Sequence, residues 1–129
     1  MAKTRLFISF DFDHDEDLRN LLAGQAKNED SPLEFTDASV KEPMTGDWKE
    51  KVRARIKRVD QVAVICGEHT DTAAGVSLEL TITQEEKKPY FLLWGRRGKT
   101  CKKPKAARDG DKIYEWTWDN LKKLIAGDR

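Results

Sequence analysis

Cysteines and long apolar runs are scarce in this chain, and each scarcity excludes a class of protein. Only two of the 129 residues are cysteines, Cys66 and Cys101, which is too few for a disulfide framework or a metal-binding spacing. We therefore expect two free thiols in a reducing cytoplasm. No apolar stretch approaches the roughly 18 residues that a membrane span requires, and the first residues, MAKTR, lack the features of a signal peptide. We predict a cytoplasmic protein without a membrane partner.

The chain carries almost no net charge, although charged residues are abundant. Lys and Arg together number 24 and Asp and Glu 23, which gives a formal net charge of +1. This balance gives no reason to expect a polyanion as the main partner, so we do not expect nucleic acid as a ligand. The length fits one domain, residues 1–129, built around one hydrophobic core.

Strand and helix patterns alternate along the chain. Apolar runs predict strands at residues 5–11, 33–36, 61–66 and 90–94, with a short fifth at 113–116. Apolar spacings of three and four predict helices that begin near residues 15, 48, 73 and 118. The first would bury Leu18, Leu21 and Leu22, Asp47 would cap the second, and the third would run to residue 87. This alternation is typical of an α/β fold with a central parallel sheet and helices on both faces. The expected order is flavodoxin-like, 2-1-3-4, with four strands or a fifth at the edge.

Polar side chains follow three of these strands at the point where each strand ends. The carboxyl ends of parallel strands share one edge of the sheet, where α/β proteins bind ligands, so we expect one crevice there. Its side chains are Ser9, Phe10 and Asp11 after strand one, Asp37 and Ser39 after strand two, and His69 and Thr70 after strand three. Glu79 enters from the third helix. Such a crevice fits a nucleotide-like ligand, and a helix start after His69 and Thr70 would offer free amides to a phosphate.

The acidic residues 11–17 invite a metal hypothesis. They begin like a calcium loop, but the sixth position is Glu16 rather than glycine and the twelfth is Leu22 rather than glutamate. A looser magnesium site stays open, although an acidic helix start is the commoner explanation. A phosphoryl-accepting receiver domain shares this fold but needs an aspartate at the end of strand three. Strand three ends here in Cys66 and Gly67, which argues against that class of protein.

Seven cations with no acid between them occupy residues 96–108. Such a stretch is typical of a solvated mobile loop, of a flap that contacts phosphates, or of a nucleic-acid patch. No aromatic residues are interleaved with these cations, which weakens the nucleic-acid interpretation.

Four segments together resemble one protein family. They are LFISFD at residues 6–11, FTDASV at 35–40, RARIKRVD at 53–60 and VICGEHT at 64–70, the last followed by Glu79. In their order and spacing they resemble bacterial TIR-like domains, whose best-known members are the ThsB proteins of Thoeris anti-phage systems.

The resemblance implies a TIR-like fold and an enzyme that consumes NAD⁺ as its substrate, without a separate cofactor or metal. Glu79 falls where the TIR catalytic glutamate lies. The residues implied to contact the ligand are Ser9, Phe10, Asp11, Asp37, Ser39, His69 and Thr70. The product would be ADP-ribose, a cyclic isomer or a conjugate, and would signal to a separate effector protein. Residues 38–47 resemble the TIR loop that gates the site and mediates assembly, which implies a homo-oligomer or a phage-derived trigger among the partners.

Two alternatives stay open at this stage. One is a non-catalytic TIR module that assembles with other proteins, and the other is a metal-dependent nucleic-acid enzyme that uses Asp11 and Asp13. Many relatives carry tryptophans around Glu79, where this chain has AGVSL at residues 74–78. A more open pocket is therefore expected.

Overall fold

A computed structural model describes residues 4–11, 13–27, 33–35 and 47–127. Within them the strands are β1 (Thr4–Ser9), β2 (Leu33–Phe35), β3 (Gln61–Cys66), β4 (Tyr90–Trp94) and β5 (Ile113–Glu115). The helices are α1 (Glu16–Ala26), α2 (Trp48–Arg58), α3 (Ala74–Glu85) and α4 (Trp118–Ile125), with a 3₁₀ turn at Thr70–Thr72 before α3. The predicted alternation of strands and helices is confirmed.

The five strands form one parallel sheet in the order β2-β1-β3-β4-β5. This order confirms the flavodoxin-like expectation, including the fifth strand at the edge. Strands β1 and β3 are neighbours, with Ser9 beside Val64. Their carboxyl ends therefore lie next to each other, at the point where the chain leaves β1 in one direction and β3 in the other. In sheets of this kind that point is where ligands bind.

Two apolar layers cover the sheet, one on each face. Alternation along β1 sends Leu6 and Ile8 to the layer that contains α1 and α4, and Phe7 to the layer that contains α2 and α3. All six residues of β3 are buried, as the unbroken apolar run predicts for a strand covered on both faces. None of the helices in the described ranges combines the length and apolar character of a membrane span.

Several local predictions need correction. Strand β1 ends at Ser9, and α3 spans Ala74–Glu85 rather than residues 73–87. Leu21, expected on the buried face of α1, is 56% exposed, whereas Leu18 and Leu22 are buried. Asp47 occupies the N-cap position of α2, but its side chain makes no capping hydrogen bond and instead lies 3.6 Å from the Lys51 ammonium.

Candidate functional site

Glu79 lies next to the carboxyl end of β1. It is the sixth residue of α3, which begins at this edge of the sheet and packs back across β3 and β1. The Ser9 hydroxyl, on the last residue of β1, donates a 2.7 Å hydrogen bond to Glu79 Oε1. Ser9 is fully buried and Glu79 is only 8% exposed. The predicted meeting of these two side chains is therefore present in the structure.

The environment of Glu79 favours its neutral form. Burial raises the pKa of this carboxyl to about 8, although the Ser9 hydrogen bond and the charge of Arg55 on α2 act in the opposite direction. A carboxyl whose pKa lies near the working pH can change its charge when a ligand arrives. Perturbed acids of this kind, at the edge where ligands bind, are typical of functional sites.

A second polar cluster joins the loops that follow β1 and β3. The Asp11 side chain, 10% exposed, accepts from the Asp13 amide at 3.1 Å, and its Oδ2 lies 2.7 Å from His14 Nδ1. The His14 ring stacks on the ring of His69, with 4.1 Å between centroids and 27° between planes. Asp11 and His69 were predicted from the sequence, whereas His14 was missed. Its position three residues after Asp11 was the only available signal.

Phe10 and Thr70 are not brought to Glu79. Phe10 packs into the core layer on the α1 side of the sheet, whereas Glu79 comes from the opposite side. The Thr70 hydroxyl is fully buried and accepts a 2.8 Å hydrogen bond from the Gly67 amide. We therefore propose no ligand contact for either residue.

Two of the amides that follow His69 are already bonded within the chain. The Thr72 amide donates to the His69 carbonyl and the Ala73 amide to the Thr70 carbonyl, because the chain forms a 3₁₀ turn before α3 begins at Ala74. The Thr72 and Ala73 amides are therefore not available to a phosphate, and a phosphate site at the start of α3 stays a prediction. Asp37 and Ser39, and residues 38–46 of the loop that resembles the TIR gate, lie outside the described residues, so their roles stay predictions.

The basic segment, residues 96–108, contacts the neighbouring loops at this edge of the sheet, although five of its seven cations are exposed. The Lys102 amide donates to the Gly67 carbonyl at 3.0 Å, and the Lys102 ammonium lies 3.8 Å from Asp71. Cys101 is buried in the core layer of α2 and α3. The segment is therefore solvated and also anchored to the edge through Lys102 and Cys101, and its contact with phosphates stays a prediction.

Arg96, the first cation of the basic segment, connects it to the start of α1. The Arg96 guanidinium donates to Asp15 Oδ1 at 3.1 Å, to Asp17 Oδ1 at 2.8 Å and to the His14 carbonyl at 2.9 Å. Asp15 is 1% exposed, and its carboxylate lies so close to Gly67 that a Cβ there would be 2.3 Å from Asp15 Oδ2. These contacts connect the loops that follow β1, β3 and β4 at the carboxyl edge of the sheet.

Neither the thiols nor the acidic run offers further chemistry in the described part of the chain. Cys66 and Cys101 are free and buried, and burial raises the pKa of the Cys66 thiol far above its usual range, which makes it a poor nucleophile. Among the described residues, no three His, Cys, Asp or Glu side chains are grouped as a metal site requires. The acidic start of α1 instead holds Arg96.

Most of the chain, residues 7–97, matches the family model described as "Thoeris protein ThsB, TIR-like domain". The chain belongs to this family. Among solved structures, this ThsB-type domain is similar to the one titled "Crystal Structure of a prokaryotic SEFIR domain", with a TM-score of 0.55 and 21% identity over 97% of this chain and 89% of that one. At this identity the likeness shows the fold alone. No curated protein sequence matches the chain significantly.

Membership of the family makes the domain a TIR-like module of a Thoeris anti-phage system, which works with partner proteins. The family match ends at residue 97, so all but the first two cations of the basic segment lie beyond it.

Proposed function

We propose that this ThsB-type domain cleaves the bond between nicotinamide and ribose in NAD⁺ and releases an ADP-ribose-type signalling nucleotide during anti-phage defence. The observation that carries the proposal is the buried Glu79 carboxyl, held by Ser9 at the carboxyl end of β1 in a domain of this family. In this proposal NAD⁺ is the substrate, and no further cofactor takes part.

The chemistry of the bond explains why such a carboxyl suits the task. As nicotinamide leaves with the bonding electrons, positive charge develops on the ribose in an oxocarbenium-like state. A carboxylate beside the ribose stabilises that charge, and it does so more strongly in a site from which water is excluded. Glu79 is buried, with a neutral hydroxyl as its hydrogen-bond partner and Arg55 near enough to lower its pKa.

Because its pKa is raised, the Glu79 carboxyl can change its charge when the substrate binds. In the empty domain burial favours the neutral acid, with a pKa of about 8. The pyridinium ring of NAD⁺ carries a positive charge, which favours the ionised carboxyl. We infer that substrate binding itself generates the carboxylate that the reaction needs, and that the released nucleotide then acts on a separate effector protein.

The experiment is nicotinamide release from NAD⁺, measured by chromatography, with the purified domain and with lysate from phage-infected cells that express it. Glu79→Gln keeps the shape of the side chain and removes its charge, so we expect turnover to fall about 10³-fold or more. Glu85→Gln on the exposed side of the same helix is the matched control and should keep wild-type turnover. Circular dichroism checks that both variants are folded.

Two outcomes would contradict the proposal. One is a wild-type domain that releases no nicotinamide even in infected lysate, which would favour a non-catalytic assembly module. The other is a Glu79→Gln variant as active as the Glu85→Gln control.

A further inference from the structure

His14 is held in place from three directions, although sequence reasoning passed over it. Its Nδ1 lies 2.7 Å from Asp11 Oδ2, its carbonyl accepts from Arg96 at 2.9 Å, and its ring stacks on His69. Its side chain is nevertheless 49% exposed. The contacts with Asp11 and His69 orient the half-exposed ring, and the contact with Arg96 holds its backbone.

The position of this cluster connects it with Glu79. Asp11 follows Ser9 by two residues, a span of about 7 Å at most, and Ser9 holds Glu79. His69 lies in the loop that leads from β3 into α3, the helix that carries Glu79. The Asp11–His14–His69 cluster therefore lies on the loops that follow β1 and β3, at the same edge of the sheet as Ser9 and Glu79.

We propose that His14, oriented by Asp11 and stacked on His69, is the general base that takes the proton from the hydroxyl attacking the ribose. The inference rests on the proposed NAD⁺ cleavage and assigns its second step to a residue that the family resemblance did not include. Asp11 and His69 act as positioning residues, since each contacts His14 and neither is required to touch the attacking group.

The tautomer of His14 follows from its partner. A carboxylate only accepts hydrogen bonds, so a neutral His14 carries its hydrogen on Nδ1, facing Asp11. The other nitrogen, Nε2, then has a free lone pair, and no described residue donates to it. An Asp–His pair in which the carboxylate fixes the ring and leaves the far nitrogen free is the arrangement that general bases use.

The step balances without an additional reactant. The bond between C1′ of the ribose and the nicotinamide nitrogen breaks, and its electron pair neutralises the pyridinium. A hydroxyl oxygen, from water or from a ribose, forms the new bond to C1′. The proton of that hydroxyl passes to His14 Nε2 and then to solvent, to which the half-exposed ring has access. Glu79 meanwhile stabilises the cationic state and does not need to act as the base.

The decisive experiment combines chemical rescue with matched ring variants. His14→Ala should lower nicotinamide release about 100-fold, within the range for a lost general base, and free imidazole in the buffer should restore at least a tenth of the wild-type rate. His69→Phe keeps a stacking ring without a second imidazole, and any loss that it causes should not respond to imidazole in the buffer, because His14 is still present. Asp11→Asn should give an intermediate loss that imidazole does not change, because His14 is still present.

Nitrogen-detected NMR supplies a readout that is independent of turnover. In the wild type at neutral pH, the His14 signals should show hydrogen on Nδ1, and Asp11→Asn should shift the population toward the Nε2 tautomer. Failure of imidazole to rescue His14→Ala while Glu79→Gln stays inactive would overturn this inference and leave the proposed function standing. Loss of all turnover in the wild type would overturn both.

Discussion

Two acidic side chains are buried at the same edge of the sheet, on opposite faces, and they are stabilised in different ways. On the α1 face, Asp15 is 1% exposed and bonded to the Arg96 guanidinium. On the α3 face, Glu79 is 8% exposed, and its hydrogen-bond partner is the neutral Ser9 hydroxyl. Burial raises the pKa of both carboxyls, and for Asp15 it does so in spite of Arg96.

Burial alone therefore does not separate an acid that is paired within the structure from one that is free to titrate. Asp15 is tied to a cation that also bonds Asp17 and the His14 carbonyl, so its charge is part of the structure of the edge. Among the described residues Glu79 forms no such ion pair, and its carboxyl, with a pKa of about 8, can gain or lose a proton near neutral pH. Substitutions on each face of the sheet should therefore affect stability differently.

The largest expected effect is on the α1 face, from Arg96→Met. This change leaves the Asp15 charge buried without its cation, which typically costs about 3–5 kcal/mol of unfolding free energy. The loss should shrink as the pH falls and Asp15 takes up a proton, because burial raises the pKa of this carboxyl. Urea denaturation at pH 7 measures it. The adjacent Arg97→Met, at an exposed arginine, is the control, and equal losses for the two variants would show that the Asp15 pair is dispensable.

The second prediction concerns the proton on Glu79. Its pKa rises from 4.5 to about 8 on folding, so the folded state binds the proton more tightly than the unfolded state between these values. Linkage then requires stability to fall as pH rises from about 5 to 8. Glu79→Gln should remove this decline and be more stable than wild type at pH 8–9 by about 2–4 kcal/mol. Glu50→Gln, at an exposed position of α2, is the control. Parallel stability curves for wild type and Glu79→Gln would show that the Glu79 proton does not contribute to the pH dependence of stability.

The third prediction concerns the close packing of Gly67 against the Asp15 carboxylate. A Cβ at residue 67 would lie 2.3 Å from Asp15 Oδ2 and 2.6 Å from Oδ1, and Arg96 keeps that carboxylate from moving away. Gly67→Ala should therefore cost about 1–3 kcal/mol, as overpacked sites do. Gly24→Ala in α1, where nothing lies within 4 Å, should instead stabilise by about 0.5–1 kcal/mol. Thermal unfolding of both variants decides whether residue 67 must be glycine.

The strands and helices that position the two acids could be predicted from the sequence, but the ion pair between Asp15 and Arg96 could not. Apolar patterns placed β1, β3 and α3 to within two residues, and parallel topology then brought Ser9 and Glu79 to one edge. The link between Asp15 and Arg96 joins residues 81 positions apart, and no local pattern encodes such a pair. The link between Glu79 and NAD⁺ came from the family resemblance, not from the residues themselves.

The errors have equally local causes. The third helix begins one residue later than predicted, because backbone bonds from the Thr72 and Ala73 amides first close a 3₁₀ turn at Thr70–Thr72. The histidine stack depends on how two loops approach each other, so His14 gave no signal beyond its nearness to Asp11. Leu21 was assigned to the core because helical spacing fixes a face only to within about one residue.

The smallest expected effect is on the α3 face, from Ser9→Ala. The variant removes the hydrogen-bond donor to Glu79 Oε1 and should lower the unfolding free energy by about 1–2 kcal/mol. Because the Ser9 bond lowers the Glu79 pKa, it favours the ionised carboxyl, so the loss should be greater at pH 9 than at pH 5. The half-buried Ser77→Ala in α3 is the control and should change stability by less than about 0.5 kcal/mol at either pH. A Ser9→Ala loss that is the same at both pH values would mean that Ser9 only fills space beside Glu79, and that the two faces of the edge differ less than their contacts indicate.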